Sequence, residues 1–267
     1  MSAGERVWVE AVGITAPGLA NWQAAREVLR GESAYAAADM PLPAPQLLPP
    51  NERRRATPTV RVAFQAAEDA IRASSLDPAA LASVFASSDA DLNIIHRISS
   101  ALTQTPRFVS PTDFHNSVHN AAAGYWSIAV GARAPSTTLS AYDFSFAAGL
   151  EEASALVLAD GFDTLLVAFD LPPPQPLFEK RPIACIAGVS LILTKARRPE
   201  SLASLRCSHV HEASTTMAVP QLEELRHGNP ALAALPLLEL LALGRSGRVV
   251  LPRGSNAGLA VTVEPPS

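Results

Sequence analysis

Apolar residues recur along this chain in short runs separated by proline-rich loops, and the spacing inside each run is either near two or near 3.6 residues. Val7 to Gly13 is a short β-branched run and Trp22 to Leu29 carries helical spacing that stops at Gly31, which predicts a strand, a turn and a helix. Residues 34–51 hold Pro41, Pro43, Pro45, Pro49 and Pro50 and predict a surface loop. Helical spacing returns at Val60 to Ala73, followed by a strand at Leu81 to Ser87 and a helix at Ile94 to Leu102. A helix over Ala121 to Val130, a strand over Thr137 to Ala141, a helix over Phe144 to Ala159 and a strand over Thr164 to Phe169 then make a βαβ rhythm. Such a rhythm favours an α/β fold with a parallel sheet covered on both faces.

Leu171-Pro-Pro-Pro-Gln-Pro interrupts that rhythm and reads as the joint between two parts of a single domain, 1–170 and 171–267. Beyond it the pattern predicts buried strands at Ile183 to Thr194 and Leu202 to Val210, helical segments within Leu222 to Leu243 broken near Pro230 and Pro236, and a closing strand at Gly258 to Glu264.

With 267 residues, of which 48% are hydrophobic, the chain can bury a substantial core. A net charge of −4 gives no basic face for a nucleic-acid backbone, and Arg53-Arg54-Arg55 reads as a solvated loop or a local ion-pair partner. No window reaches the roughly 18 apolar residues of a membrane span, and Met1 to Gly13 has no export signal. Cys185 and Cys207 sit in apolar segments, as small buried hydrophobes do, so a reducing, cytoplasmic setting is expected.

The chemistry-bearing stretch is Ser110 to Gly149, SPTDFHNSVHNAAAGYWSIAVGARAPSTTLSAYDFSFAAG. Its Ser110-Pro111, Asn116-Ser-Val-His-Asn120, Ala123-Gly-Tyr125 and Ala134-Pro-Ser-Thr-Thr138 segments resemble the β-ketoacyl synthases of the thiolase superfamily. The opening VWVEAVGITAPGLANWQAAREVLRGESA and the turn Gly254-Ser-Asn-Ala-Gly-Leu259 are similar to the start and close of those synthases. The resemblance implies a thiolase-like layered fold whose N-terminal half is complete and whose C-terminal half is truncated. It also implies that Leu139-Ser-Ala-Tyr142 leads into the nucleophile position, which holds Asp143 instead of cysteine. The family's two histidine-bearing segments have no counterpart, for His209, His211 and His227 stand in other contexts.

A synthase without its thiol cannot be acylated. Asp143 at a helix start would ordinarily accept backbone N–H bonds as a cap. The resemblance therefore points to the chain-length-factor branch, in the short form of aryl-polyene and xanthomonadin-type pigment clusters. Such a chain has no catalytic residue of its own and pairs with an active β-ketoacyl-ACP synthase, with acyl-carrier protein as a second candidate partner. It would line the shared acyl tunnel with Phe114, Asn116, Val118, His119, Tyr125, Trp126 and Phe144, where Tyr125 and Trp126 read as interface or core aromatics. No metal or other cofactor is expected, since His115 and His119 lack Cys, Asp or Glu at ligand spacing. The rival reading is an autonomous acyltransferase, thioesterase or decarboxylase built on Ser117, Ser140 or Ser145 with His115 or His119. It has no Gly-x-Ser-x-Gly elbow behind it.

Overall fold

The computed structural model describes residues 5–266. Eight strands form one mixed sheet: β1 (Val7–Thr15), β2 (Ala82–Ala86), β3 (Ser136–Leu139), β4 (Thr164–Asp170), β5 (Ala187–Thr194), β6 (Ala203–Val210), β7 (Gly247–Pro252) and β8 (Gly258–Glu264), in the order β3-β2-β4-β5-β1-β6-β8-β7. Only β3-β2-β4 is parallel; every pairing from β4 to β7 is antiparallel. The parallel pairing expected from the βαβ rhythm holds for β2, β3 and β4 and does not extend to the rest of the sheet. The βαβ units supply three parallel strands, but β5 enters after a proline loop with no helix to carry the chain back, so it runs against β4 and then pairs with β1.

The helices are α1 (Trp22–Leu29), α2 (Pro50–Arg55), α3 (Pro58–Arg72), α4 (Leu92–Leu102), α5 (Pro111–Asn116), α6 (Ala121–Val130), α7 (Ser145–Ala155), α8 (Pro220–Gly228) and α9 (Leu235–Leu243). Short 3₁₀ turns stand at Tyr142–Phe144, Leu177–Glu179 and Pro230–Ala234, and a π turn at Leu156–Asp160 prolongs α7. The cap residues are local and readable. Asn21 accepts from Ala24 N at 3.0 Å, and Thr57, followed by Pro58 at the first helical position, opens α3. The chain shows three elements beyond those expected: α2, α5 and β7. The first two begin at prolines, α2 at the end of the segment expected to be loop and α5 in a stretch given no element, because Pro49-Pro50 and Ser110-Pro111 pre-set φ for a helix start.

Both faces of the central strands are covered, which explains why their sequences are nearly continuous in apolar residues. Alternation along β4 sends Leu165, Val167 and Phe169 to a core shared with Phe64 of α3 and Trp126 of α6. Leu166 and Ala168 point to the opposite core, with Phe146 and Leu150 of α7 and Leu237 of α9. Helix α7 approaches the sheet closely at Gly149, where a Cβ would lie 2.8 Å from Leu166 Cδ1 and 2.9 Å from Ala86 Cβ. That approach sets where the first residues of α7, and the turn before them, must lie.

Candidate functional site

The turn between β3 and α7 is built by short hydrogen bonds and one strained residue. Ser140 Oγ donates to Ser88 O at 2.7 Å, Ala141 N donates to Ser145 Oγ at 3.0 Å, and Ser145 Oγ donates to Tyr142 O at 2.7 Å. Tyr142 has φ +55°, a left-handed conformation that costs a bulky residue on the order of 1–3 kcal/mol and persists only where neighbours enforce it.

The enforcing neighbour is Arg181, which lies past the proline loop. Its Nε donates to Asp89 Oδ2 at 2.6 Å, its Nη1 donates to Asp143 Oδ1 at 2.5 Å, and its guanidinium carbon stands 3.8 Å from the centre of the Tyr142 ring. The Arg181 side chain is 11% exposed and that of Asp143 is 51%. Asp143 is therefore not a helix cap, contrary to the expectation from sequence. It falls inside the 3₁₀ turn, Phe144 takes the cap position of α7 with no side-chain bond, and the carboxylate is drawn sideways to Arg181. A guanidinium fork outcompetes a backbone N–H for a carboxylate that faces solvent on its other side.

Asp89 is joined through Ser88, whose Oγ lies 3.1 Å from Asp89 Oδ2, to a buried carboxyl. Asp170 Oδ1, at the end of β4, accepts from Ser87 Oγ at 2.9 Å, Ser88 N at 2.8 Å and Ser88 Oγ at 2.7 Å. Burial pushes the Asp170 carboxyl up to about 7, against the opposing pull of the serine hydrogen bonds, and the nearby Asp89 charge adds to the rise. Asn229 fastens the second part of the chain to the same point, donating from Nδ2 to Asp170 O at 2.9 Å and to Cys185 O at 2.8 Å.

Tyr142, Asp143, Arg181 and Asn229 wall a cleft of about 410 Å³, lined also by Phe144, Ile183 and Arg226. Opposite Arg181, Arg226 donates to Glu223 at 2.6 and 2.8 Å, and this pairing holds the Glu223 carboxyl down at about 2. A larger cleft, about 600 Å³, lies along α7, where Glu151 bridges His209 and Arg253.

The residues singled out from sequence fall into three settings. Phe114 and Val118 stand in solvent at 70% and 53% exposure. Asn116 is buried, donating from Nδ2 to Thr112 O at 3.0 Å, and His119 beside it is half-buried. Tyr125 and Trp126 are core residues, so of the two roles open to them the interface is not the one taken by their side chains. Trp126 packs edge-on against Phe64 with ring centres 5.3 Å apart, and burial raises the Tyr125 hydroxyl above its ordinary value. Their helix is apolar on all sides, and α3 covers the side that carries both rings. Phe144 alone lines the cleft beside Asp143.

The three candidate serines make no catalytic pair with histidine. Ser117, Ser140 and Ser145 each donate their hydroxyl proton to a main-chain carbonyl, of Phe114, Ser88 and Tyr142 respectively. His211 is bonded through Nδ1 to Asn256 O and His227 faces Glu223. Both cysteines are free, and burial pushes the thiols up to about 11 at Cys185 and about 12 at Cys207. Among the described residues no cluster of His, Cys, Asp or Glu could hold a metal ion, and no helix is long and apolar enough to cross a membrane. Sequence reasoning missed Arg181, Asp89 and Asp170. The acidic pair around Ala90 in Ser87-Ser-Asp-Ala-Asp91 was the one local signal available.

Residues 22–239 match the family model described as the β-ketoacyl synthase N-terminal domain. Among solved structures, the chain is similar to that of a ketosynthase (ApeO) in complex with its chain length factor (ApeC) from Xenorhabdus doucetiae: 24% identity over 96% of this chain and 98% of that one, TM-score 0.70. It is similar also to the ishigamide ketosynthase/chain length factor, at 15% identity over 99% of this chain and 100% of that one, TM-score 0.77. A third likeness is to AntDE:AntF, a type II polyketide acyl-carrier protein in complex with its ketosynthase bound to the hexaketide, at 13% identity over 98% of this chain and 99% of that one, TM-score 0.77. At these identities the structures establish the fold, a mixed sheet between helices of the thiolase-like ketosynthase kind. No curated protein matches the chain.

Proposed function

The chain belongs to the β-ketoacyl synthase family, matched through that family's N-terminal domain, and we propose that within it the chain is a non-catalytic chain length factor. It pairs with an active β-ketoacyl-ACP synthase and shapes the tunnel into which that partner grows a polyene, polyketide or fatty-acid-type chain. The observation that carries this reading is the state of the position where the resemblance expects a nucleophile. Asp143 stands there with its carboxylate committed to Arg181, beneath a strained turn that leaves no thiol to acylate. Neither cysteine compensates, because burial pushes both thiols up, to about 11 at Cys185 and about 12 at Cys207, away from the reactive thiolate form.

The mechanism is passive. The partner supplies the nucleophile, the groups that steady the enolate, and the carrier-bound substrate, while this chain supplies a wall that limits chain growth. Phe144 is the candidate for that wall, being the one large apolar residue of the expected set on the cleft. Wall formation needs only shape and an apolar surface, both of which survive loss of the thiol. The ketosynthase and chain length factor pairs in the two structures named above support such a pairing.

The experiment is co-expression with candidate synthases, size-exclusion analysis of the pair, and exposure of the chain alone to an acyl-carrier thioester. The expected outcome is a stable heterodimer and no acyl adduct on the isolated chain. A covalent adduct on this chain by itself would overturn the reading in favour of an autonomous enzyme.

A further inference from the structure

Three segments distant in sequence meet at one guanidinium. Asp89 follows β2, Tyr142 and Asp143 precede α7, and Arg181 belongs to the loop that enters the second part of the chain, 92 and 38 residues away from its two carboxylate partners. We infer that Arg181 is a positioning residue that fixes the wall of the Tyr142–Phe144 cleft, and so sets the length of the product made by the partner synthase. The inference rests on the chain-length-factor reading and names the residue through which that role is exerted.

The geometry gives each contact a separate task. The bond to Asp89 anchors the guanidinium to the loop tied down by Asp170 through Ser87 and Ser88. The bond to Asp143 fixes the turn along the chain, and the flat face of the guanidinium closes over the Tyr142 ring, which holds that residue at φ +55°. Tyr142 is half exposed and Phe144 half-buried, so neither ring is held by the core. With Arg181 removed, Asp89 and Asp143 lose the cation between them, and the Ser145 hydrogen bonds to Ala141 N and Tyr142 O are left to oppose the return of Tyr142 to an ordinary backbone conformation. That return moves Phe144, the next residue but one, and reshapes the cleft. A lysine would keep the charge but not the fork or the stacked plane.

The test uses the full chain as wild type, Arg181→Ala, Arg181→Lys and Asp89→Asn, free and paired with the synthase found by co-expression. Amide hydrogen exchange over residues 140–146 should accelerate at least tenfold in Arg181→Ala, with Arg181→Lys in between. The reconstituted pair should keep its turnover within a few-fold while its product distribution broadens toward longer chains. Asp89→Asn preserves side-chain shape, and it carries the same test if Arg181→Ala fails to fold. Unchanged exchange in both variants, or a loosened turn with an unmoved product distribution, overturns the inference. A wild-type chain that pairs with no synthase removes the chain-length-factor reading and the product half of this inference with it; the exchange measurement then still decides whether Arg181 holds the turn.

Discussion

The turn at 140–146 and the segment at 111–119 both stand out in the sequence, yet the fold treats them in opposite ways. The turn is over-determined: Ser140, Ser145, Asp143 and Tyr142 are all engaged, and the forces on them come from β2, from the start of α7 and from Arg181. In the 111–119 segment only Asn116 is fully buried, one ion pair from Arg97 to Asp113 ties α5 to α4, and Phe114 and Val118 are left in solvent. Strain is stored where many contacts converge, whereas apolar surface is left open where few do. A wall that must keep its shape suits the first arrangement, and a surface that is covered only on association suits the second.

The comparison can be broken most severely from beneath. Trp126→Ala removes the largest fully buried side chain of the core that also holds Tyr125, whose ring stands edge-on to His115, and should cost about 3–5 kcal/mol, read as a fall in urea midpoint. Exchange at 140–146 should stay slow in that variant so long as it remains folded, since Trp126 belongs to the other core. Equal loosening of both regions would show that the turn is not independently held.

Next in size is the pH dependence from Asp170. Its carboxyl sits at about 7 in the folded chain against 3.8 for an ordinary aspartate, so the folded state holds the proton more tightly than the unfolded one. The stability this brings is fully present below about pH 4 and is lost as pH rises through about 7, a change on the order of a few kcal/mol. Asp170→Asn should flatten the stability profile over that window while the turn stays closed. A variant with the wild-type slope between pH 4 and 7 would place the titration elsewhere.

Smaller still is Asp143→Ala. The pair it breaks is half exposed on the aspartate side, so a stability loss of up to about 1 kcal/mol is expected. Turnover of the reconstituted pair should remain largely intact. A drop beyond about a hundredfold, near 2.7 kcal/mol of barrier, would assign chemistry to that carboxylate.

The smallest effect on stability, within about 0.5 kcal/mol, is expected for the double variant Phe114→Ser, Val118→Ser, because both side chains are already in water. Association with the synthase should nonetheless weaken at least tenfold, as measured by titration of the tagged partner. Unaltered association would take this surface out of the interface.

Local pattern was enough to place most of the elements. The helices Trp22–Leu29 and Ala121–Val130 and the strand Gly258–Glu264 have the bounds that periodicity gave them, because capping residues and left-handed glycines act within one or two turns of the chain. The βαβ rhythm likewise indicated a sheet covered on both faces, and the strands Thr164–Asp170 and Ala187–Thr194 are buried along their whole length. Strand direction was legible only where a helix joins two strands, as in the parallel set β2, β3 and β4; a period of two is the same whichever way a strand runs, so the antiparallel entry of β5 between β4 and β1 emerged only from pairing. The site divides the same way. Asp143 and the turn before α7 could be found by motif, but Arg181, Asp89 and Asp170 carry no local signature, for an ion pair across 38 or 92 residues and a carboxyl stripped of water exist only once the chain has closed around them.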